Sequence, residues 1–290
     1  MGYDTIAGKK SILKPVFCYS ILIFACILVV IPFIWLIGRS LKSREELNMF
    51  TELGFYTFFP KEITGVNYVN LFAGETVQIN FVQVFCNTVL TGIISVGANL
   101  LVNSLAAYSF ARIKFYGRNT LFLLILFLLI IPADILLLPQ YKLISSMRLM
   151  DTLIAVVLPS IANPFVIFFL RQFFLEIPKD IEEAATIDGC SRWRIFYGIM
   201  FPLVAGPVFT VSIIVFLAQW DNFIWPTTII SSLGNYVLQM AVAFLAVSQY
   251  ELDLGLTYAG AVLSIIPVVI LFISVQKYYV QSIVTSGIKG

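Results

Sequence analysis

Six stretches of this chain are apolar over about 20 residues, enough for each to cross the hydrocarbon core of a bilayer as a helix. They cover approximately residues 16–37, 84–108, 120–138, 153–170, 203–220 and 256–275. The chain is 60% hydrophobic and only 12% charged, whereas a soluble domain carries about 25% charged residues. These numbers predict an all-α integral membrane protein with six transmembrane helices and no separate soluble domain. Pro32, Pro132, Pro164, Pro207 and Pro267 fall within the runs, and membrane helices tolerate proline when neighbours satisfy the freed backbone groups. The first run follows Lys9, Lys10 and Lys14, as a signal peptide would. It is too long for that role, and Gly38-Arg39-Ser40 is not a small-x-small cleavage site, so a retained helix is expected.

Orientation follows from the placement of Lys and Arg, which favour the cytoplasmic side. With the N-terminus inside, 12 of the 18 basic residues fall in cytoplasmic segments, among them Arg112, Lys114, Arg118, Arg171, Lys179, Arg192 and Arg194. Segment 1–15 and the C-terminus are then cytoplasmic, and so is the loop 178–202. The connection 221–255 contains no Lys or Arg and lies outside.

Several classes of chemistry are excluded. The chain has no histidine, which removes a histidine base and histidine-ligated metals. Cys18, Cys26, Cys86 and Cys190 are scattered without a C-x-x-C pair, so no zinc site or disulfide framework is expected. There is no G-x-x-x-x-G-K-[ST] phosphate loop, and a net charge of +2 does not point to nucleic acid. No catalytic residue, metal site or resident cofactor is expected. Any ATP and Mg²⁺ would sit on a partner subunit.

The loop 178–202 is the most ordered of the cytoplasmic segments. Asp180 has a cap position with Glu183 three residues later, the spacing of a capping box. Gly189 is suited to the left-handed residue that closes a helix. Ser191 can cap a second helix, and Pro202 stands where the next membrane helix would begin. Local capping alone would explain Glu183 or Gly189 taken singly. The second amphipathic helix is not explained that way.

Glu183-Ala184-Ala185, three residues, Gly189 and then Ile199-x-x-Pro202 resemble the coupling loop of importer-type ABC transporter permeases. The resemblance extends from about Pro32 to the C-terminus. It includes Trp35 with Ser40-Leu41-Lys42, Asn67-Tyr68, Asn87-Thr88, Asp151-Thr152, Leu158-Pro159 and the tail Gln276-Lys277-Tyr278-Tyr279. The chain is similar to the smaller permease of maltose-type sugar importers. One departure stands at the fifth span, where the family has Trp-Asn followed by an acidic residue and this chain has Trp220-Asp221-Asn222.

The resemblance implies a permease domain over 16–290 in the cell membrane of a prokaryote, either inner or plasma membrane. It implies four partners besides the lipid bilayer: a second permease, a homodimer of an ABC ATPase, an extracytoplasmic solute-binding protein, and a sugar. Glu183, Ala184, Ala185, Asp188, Gly189, Arg192 and Pro202 would belong to the loop that fits a groove on the ATPase. Ser248, Gln249, Tyr250 and Glu251 would belong to an external loop that enters the binding protein and displaces its sugar; a plain polar turn is the alternative there.

Asn87, Asn103, Asn163, Gln219, Trp220 and Asn222 are candidates for the translocation pathway, since sugar hydroxyls need hydrogen-bonding groups and pyranose faces need an aromatic surface. Asparagine and glutamine also join membrane helices to one another, and both readings stand. Asp134, the one carboxylate inside a span, is expected to snorkel or to pair with a neighbouring helix. A pore-lining role or an intramembrane-protease role is the alternative, and the latter lacks its second carboxylate. Segment 39–80 shows no helical or strand period and reads as an outer cap, while 236–247 reads as a helix at the membrane interface. An ABC permease for a non-sugar solute, or a stand-alone secondary transporter, are the competing functions.

Overall fold

The structure is a computed structural model that describes residues 13–49, 54–74, 79–247 and 254–287, with side chains for residues 15–276 of these. All regular structure among the described residues is helical. The chain divides into two compact units, Met1–Leu71 with Leu245–Gly290, and Phe72–Phe244.

In the first unit, α1 (Leu13–Ser40) packs along the last helix, Leu254–Gly287. Trp35 meets Tyr258 edge-to-face at 5.5 Å between ring centroids. The Arg39 guanidinium lies 5.4 and 5.2 Å from the same two rings, so the cation ending the span is screened by aromatic faces. Segment 39–80, which shows no period in the sequence, contains α2 (Arg44–Asn48), α3 (Phe55–Phe58) and α4 (Val66–Ala73). Helices this short cannot display a hydrophobic repeat, and a polar node holds them instead. Lys42 is fully buried; its ammonium donates to the Tyr56 carbonyl and pairs with Glu46 at 3.3 Å. Asn67 Nδ2 donates to the carbonyls of Ser40 and Lys42, each at 2.8 Å. Gly38 is required by close approach, since a Cβ there would lie 1.7 Å from the Phe58 carbonyl oxygen.

The second unit is arranged around α5 (Phe81–Arg112), an unbroken helix of 32 residues. The third and fourth spans, expected as single helices over 120–138 and 153–170, are each broken, whereas the fifth, expected over 203–220, is the single helix Ala205–Trp220, set off by a bend from the loop before it. α6 (Arg118–Leu128) and α7 (Leu137–Ser146) flank a 3-10 turn, Ala133–Leu136, with a bend of 97°. α8 (Leu153–Val157) and α9 (Pro164–Glu176) flank the 3-10 turn Leu158–Ser160 with a bend of 50°. Then come α10 (Lys179–Ile187), α11 (Arg192–Ile195), a π-helical turn at Phe196–Met200 and α12 (Phe201–Leu203). α13 (Ala205–Trp220) meets that segment at 79°. The next membrane helix therefore begins at Ala205, past Pro202. Proline explains much of this, because Pro139, Pro164 and Pro207 occupy the first turns of α7, α9 and α13, where a missing N–H is harmless. Among the described residues, three helices are long and apolar enough to cross a membrane alone, and the three bent pairs qualify only when each is taken together.

A broken helix in an apolar setting needs partners for its freed backbone groups. α5 supplies them at the α8–α9 break. Asn99 Nδ2 donates to the Ser160 carbonyl at 2.7 Å, and Asn103 Nδ2 donates to the Ile161 carbonyl at 2.8 Å. Asn103 Oδ1 accepts from the Asn163 N–H at 3.0 Å, and Asn163 in turn caps α9 by accepting from Phe165 and Val166. Nearer the start of α5, Asn87 Nδ2 donates to the carbonyls of Gly234 and Tyr236, and Thr88 Oγ1 accepts from the Leu238 N–H.

Asp151 fastens the turn that follows α14 (Ile224–Ile229), accepting at 3.0 Å from the N–H groups of both Ser231 and Ser232, and from the Ser232 hydroxyl. Residues 236–247, expected as a helix at the interface, form the helix Leu238–Val247. Its Leu238, Met240 and Ala241 are buried, so it is packed into the protein along one side.

Candidate coupling loop and pathway residues

Three features shape the loop 178–202. α10 begins directly after Pro178, with Asp180 and Glu182 in its first turn, where carboxylates favour the helix dipole. The expected capping box of Asp180 and Glu183 is not formed. Pro178 takes the cap position without a side-chain cap, which places Asp180 inside the helix. At the other end, Gly189 adopts φ +77°. Its N–H donates to the Thr186 carbonyl at 3.1 Å, and the Cys190 N–H donates to the Ala185 carbonyl at 3.0 Å. This pair of bonds is a Schellman closure, which needs a left-handed residue at the glycine position. Ser191 caps α11 by accepting from the Arg194 N–H at 3.3 Å. The result is a helix closed at its C-terminus, a glycine and a second short helix capped at its N-terminus.

One side of this loop is buried and the other bare. Ala185, Ile195, Phe196 and Met200 join a core with Tyr108, Ala111, Leu170 and Phe174. Glu183, Ala184, Asp188, Gly189 and Arg192 are exposed. Exposed with them are Ile187 at 86%, Trp193 at 64% and Tyr197 at 50%, and the last two stack with ring centroids 6.1 Å apart. Exposed aromatics of this size beside charged residues are the composition of a contact surface.

Three residues that the sequence did not single out fix the loop to α5. The Tyr108 hydroxyl donates to Glu182 Oε1 at 2.7 Å, and Arg112 Nε lies 3.4 Å from Glu182 Oε2. Arg112 also donates to the Ile177 carbonyl. A polar cavity of about 300 Å³ adjoins this cluster, with Lys114, Thr186 and Arg192 also on its walls. The signal was present in the spacing, because Glu182 stands one turn before the buried Ala185 and so shares its face.

The six pathway candidates do not share one surroundings. Asn103 and Asn163 are brought together and bond each other, as described. Asn87 serves the 234–236 carbonyls. Gln219 and Trp220 are buried, and Trp220 packs between Phe85 and Phe216 with centroids 5.8 and 5.7 Å away. Asn222 follows the end of α13 and is partly exposed. Missed by the sequence reading was the length of the polar row on α5: Asn87, Thr88, Thr91, Ser95, Asn99, Asn103 and Ser104 are all buried. Spacings of three and four place them on one face, a pattern readable from sequence. Asp134 lies in the exposed 3-10 turn between α6 and α7, and not within a membrane helix as expected. Ser248, Gln249, Tyr250 and Glu251 lie outside the described residues.

Residues 100–285 match the family described as binding-protein-dependent transport system inner membrane component. The chain belongs to this family. The permease is 35% identical over 269 residues to the arabinooligosaccharides transport system permease protein AraQ of Halalkalibacterium halodurans, covering 92% of this chain and 94% of that one. It is 32% identical to AraQ of Bacillus subtilis over 89% of each chain. It is 30% identical to the lactose transport system permease protein LacG of Rhizobium radiobacter, over 92% of this chain and 94% of that one. Its fold matches a chain from the crystal structure of a bacterial ABC transporter involved in the import of the acidic polysaccharide alginate. The TM-score is 0.81 at 19% identity, over 96% of this chain and 100% of that one. The family is one of transport permeases and not of enzymes. The resemblance to importer-type ABC permeases is borne out, and the protein is a multi-pass membrane permease subunit of an ABC importer.

Proposed function

We propose that this permease and a second permease subunit together form an alternating-access pathway for a sugar or oligosaccharide. An extracytoplasmic solute-binding protein delivers the substrate, and a homodimer of ABC ATPase subunits, carrying ATP and Mg²⁺, drives the cycle. The relatives named for arabinooligosaccharides and lactose align over about nine-tenths of this chain, which supports a sugar as the cargo. The third and fourth spans each contain a break and the helix Ala205–Trp220 serves as the fifth, giving six. Residues 1–15 form a cytoplasmic segment, residues 16–290 form the permease domain, and both termini face the cytoplasm, as the Lys and Arg distribution favours. The loop at 248–251 contacts the binding protein.

The observation that carries the mechanism is the preformed loop 178–202, with a Schellman-closed glycine and bare Ile187, Trp193 and Tyr197. A docking element must be rigid before it meets its partner if it is to transmit force, and it must have apolar surface to bury. Glu183, Ala184, Asp188, Gly189 and Arg192 present the polar part of that surface, the buried Ala185 anchors it, and the exposed Pro202 closes the loop. Gly189→Pro tests this reading. Proline cannot adopt φ +77° and lacks the N–H that bonds Thr186. The variant should insert in the membrane normally and lose both substrate-stimulated ATP hydrolysis and uptake. Full coupling in that variant would reject the assignment of the loop.

A further inference from the structure

We propose that the ATPase stroke reaches the transport pathway sideways through α5, with Tyr108 and Arg112 as the positioning residues that make α5 follow the coupling loop. This rests on the coupling-loop reading above and specifies the route by which that loop acts. Along the chain, the loop continues into helices that are interrupted: α9 bends 50° from α8, and the segment Arg192–Leu203 bends 79° from α13 at Val204. A push delivered along either path meets a hinge. α5 is unbroken from Phe81 to Arg112. At 1.5 Å per residue, a continuous helix carries a displacement from Arg112 to Asn87 over about 38 Å.

The connection between loop and helix is built for transmission. Glu182 takes a hydrogen bond from Tyr108 at 2.7 Å and pairs with Arg112 at 3.4 Å, and Arg112 also holds the carbonyl of Ile177 just before α10. Tyr108 is 7% exposed, and the Arg112 and Glu182 side chains are 6% and 18% exposed, so these charged contacts work largely away from water, where they are stronger. The Tyr108 ring is wedged between Phe174 and Phe196, at 5.7 and 5.1 Å. That wedge ties the end of α9 and the π-helical turn to the same point on α5. At its far end α5 grips the backbone at 234–238 through Asn87 and Thr88. Movement of the loop therefore shifts the whole polar row of α5 and the segment it holds.

The test uses the complete transporter in liposomes, with second permease, ATPase and binding protein, and reads ATP hydrolysed per substrate imported together with the melting temperature. Tyr108→Phe keeps the ring packing and removes the hydroxyl; Glu182→Gln keeps the side-chain length and removes the charge. Each should raise ATP consumption per substrate by about tenfold, the scale of one lost charge-assisted hydrogen bond. Assembly should stay at the wild-type level, and the melting temperature should fall by only the few degrees that one lost hydrogen bond produces. The double variant should be no worse than the stronger single, because both remove the same link. A parallel fall of hydrolysis and uptake at constant ratio would show a merely structural contact and overturn the proposal. Wild-type behaviour of both variants alongside an uncoupled Gly189→Pro would also overturn it, while leaving the coupling loop itself in place. An intact Gly189→Pro would remove both.

Discussion

Asn103→Ala separates the two uses open to the buried asparagines, joining helices or lining a pathway. Asn103 is fully buried and has three partners: Asn99 Oδ1 at 2.7 Å, the Ile161 carbonyl at 2.8 Å and the Asn163 N–H at 3.0 Å. Side-chain hydrogen bonds between membrane helices contribute about 0.6 kcal/mol each on average and up to about 1.7 kcal/mol. Two of the partners here are backbone groups at a helix break, and leaving such a group buried without a partner costs about 1–3 kcal/mol. Alanine should therefore destabilise the permease by about 2–4 kcal/mol, with the backbone terms dominating. The assay is reversible unfolding of the purified permease in mixed micelles, with uptake measured on the folded fraction. Uptake per folded transporter should be close to that of wild type. A stability change under about 0.5 kcal/mol, the range of an ordinary surface substitution, together with altered substrate affinity would refute the reasoning and move Asn103 into the pathway.

Other expectations follow from local geometry. The Asp151 carboxyl is held down to about 2, chiefly by the Ser232 hydroxyl and then by the Ser232 and Ser231 N–H groups, against 3.8 for a free aspartate. Its contribution is thus fully present above about pH 4 and lost as pH falls toward 2. Melting curves of wild type and Asp151→Ala across that range should converge at the acid end; a constant gap would count against this clamp. Gly189→Ala meets no steric obstacle, since nothing lies within 4 Å of its Cβ, yet the left-handed backbone costs about 1–2 kcal/mol for an L-residue. It should weaken coupling much less than Gly189→Pro, and equal loss in the two would contradict the role given to the Schellman closure. Asp134→Asn sits on an exposed turn and should leave uptake within about twofold of wild type, the kinetic equivalent of a surface change. Complete loss of uptake with intact assembly would place that carboxylate on the translocation route.

Much of the candidate site was legible where its causes are local. The Gly189 closure and the Ser191 cap depend on neighbours within five residues, and both were read correctly from residue type and spacing. The cap assigned to Asp180 failed for an equally local reason, because Pro178 starts the helix two residues earlier. Glu182 escaped notice because its significance lies in Tyr108 and Arg112, more than 65 residues away in sequence. Adjacent glutamates look alike until a partner selects one of them.

The sequence by itself determined the apolar mass, the helical class and the family, because hydrophobicity, proline position and motif spacing are one-dimensional properties. It also placed Asn87, Asn103 and Asn163 among apolar residues, without saying whether their amides face a substrate or a backbone. Tertiary structure shows these side chains bonded to backbone carbonyls and N–H groups, and it decided where the helices break. A run of apolar residues specifies only that a segment belongs in lipid. Whether its helix can bend at residues 161–163 depends on whether Asn99 and Asn103, on another helix, stand ready to receive the exposed carbonyls and N–H. In a medium without water, a broken helix survives only beside such a neighbour.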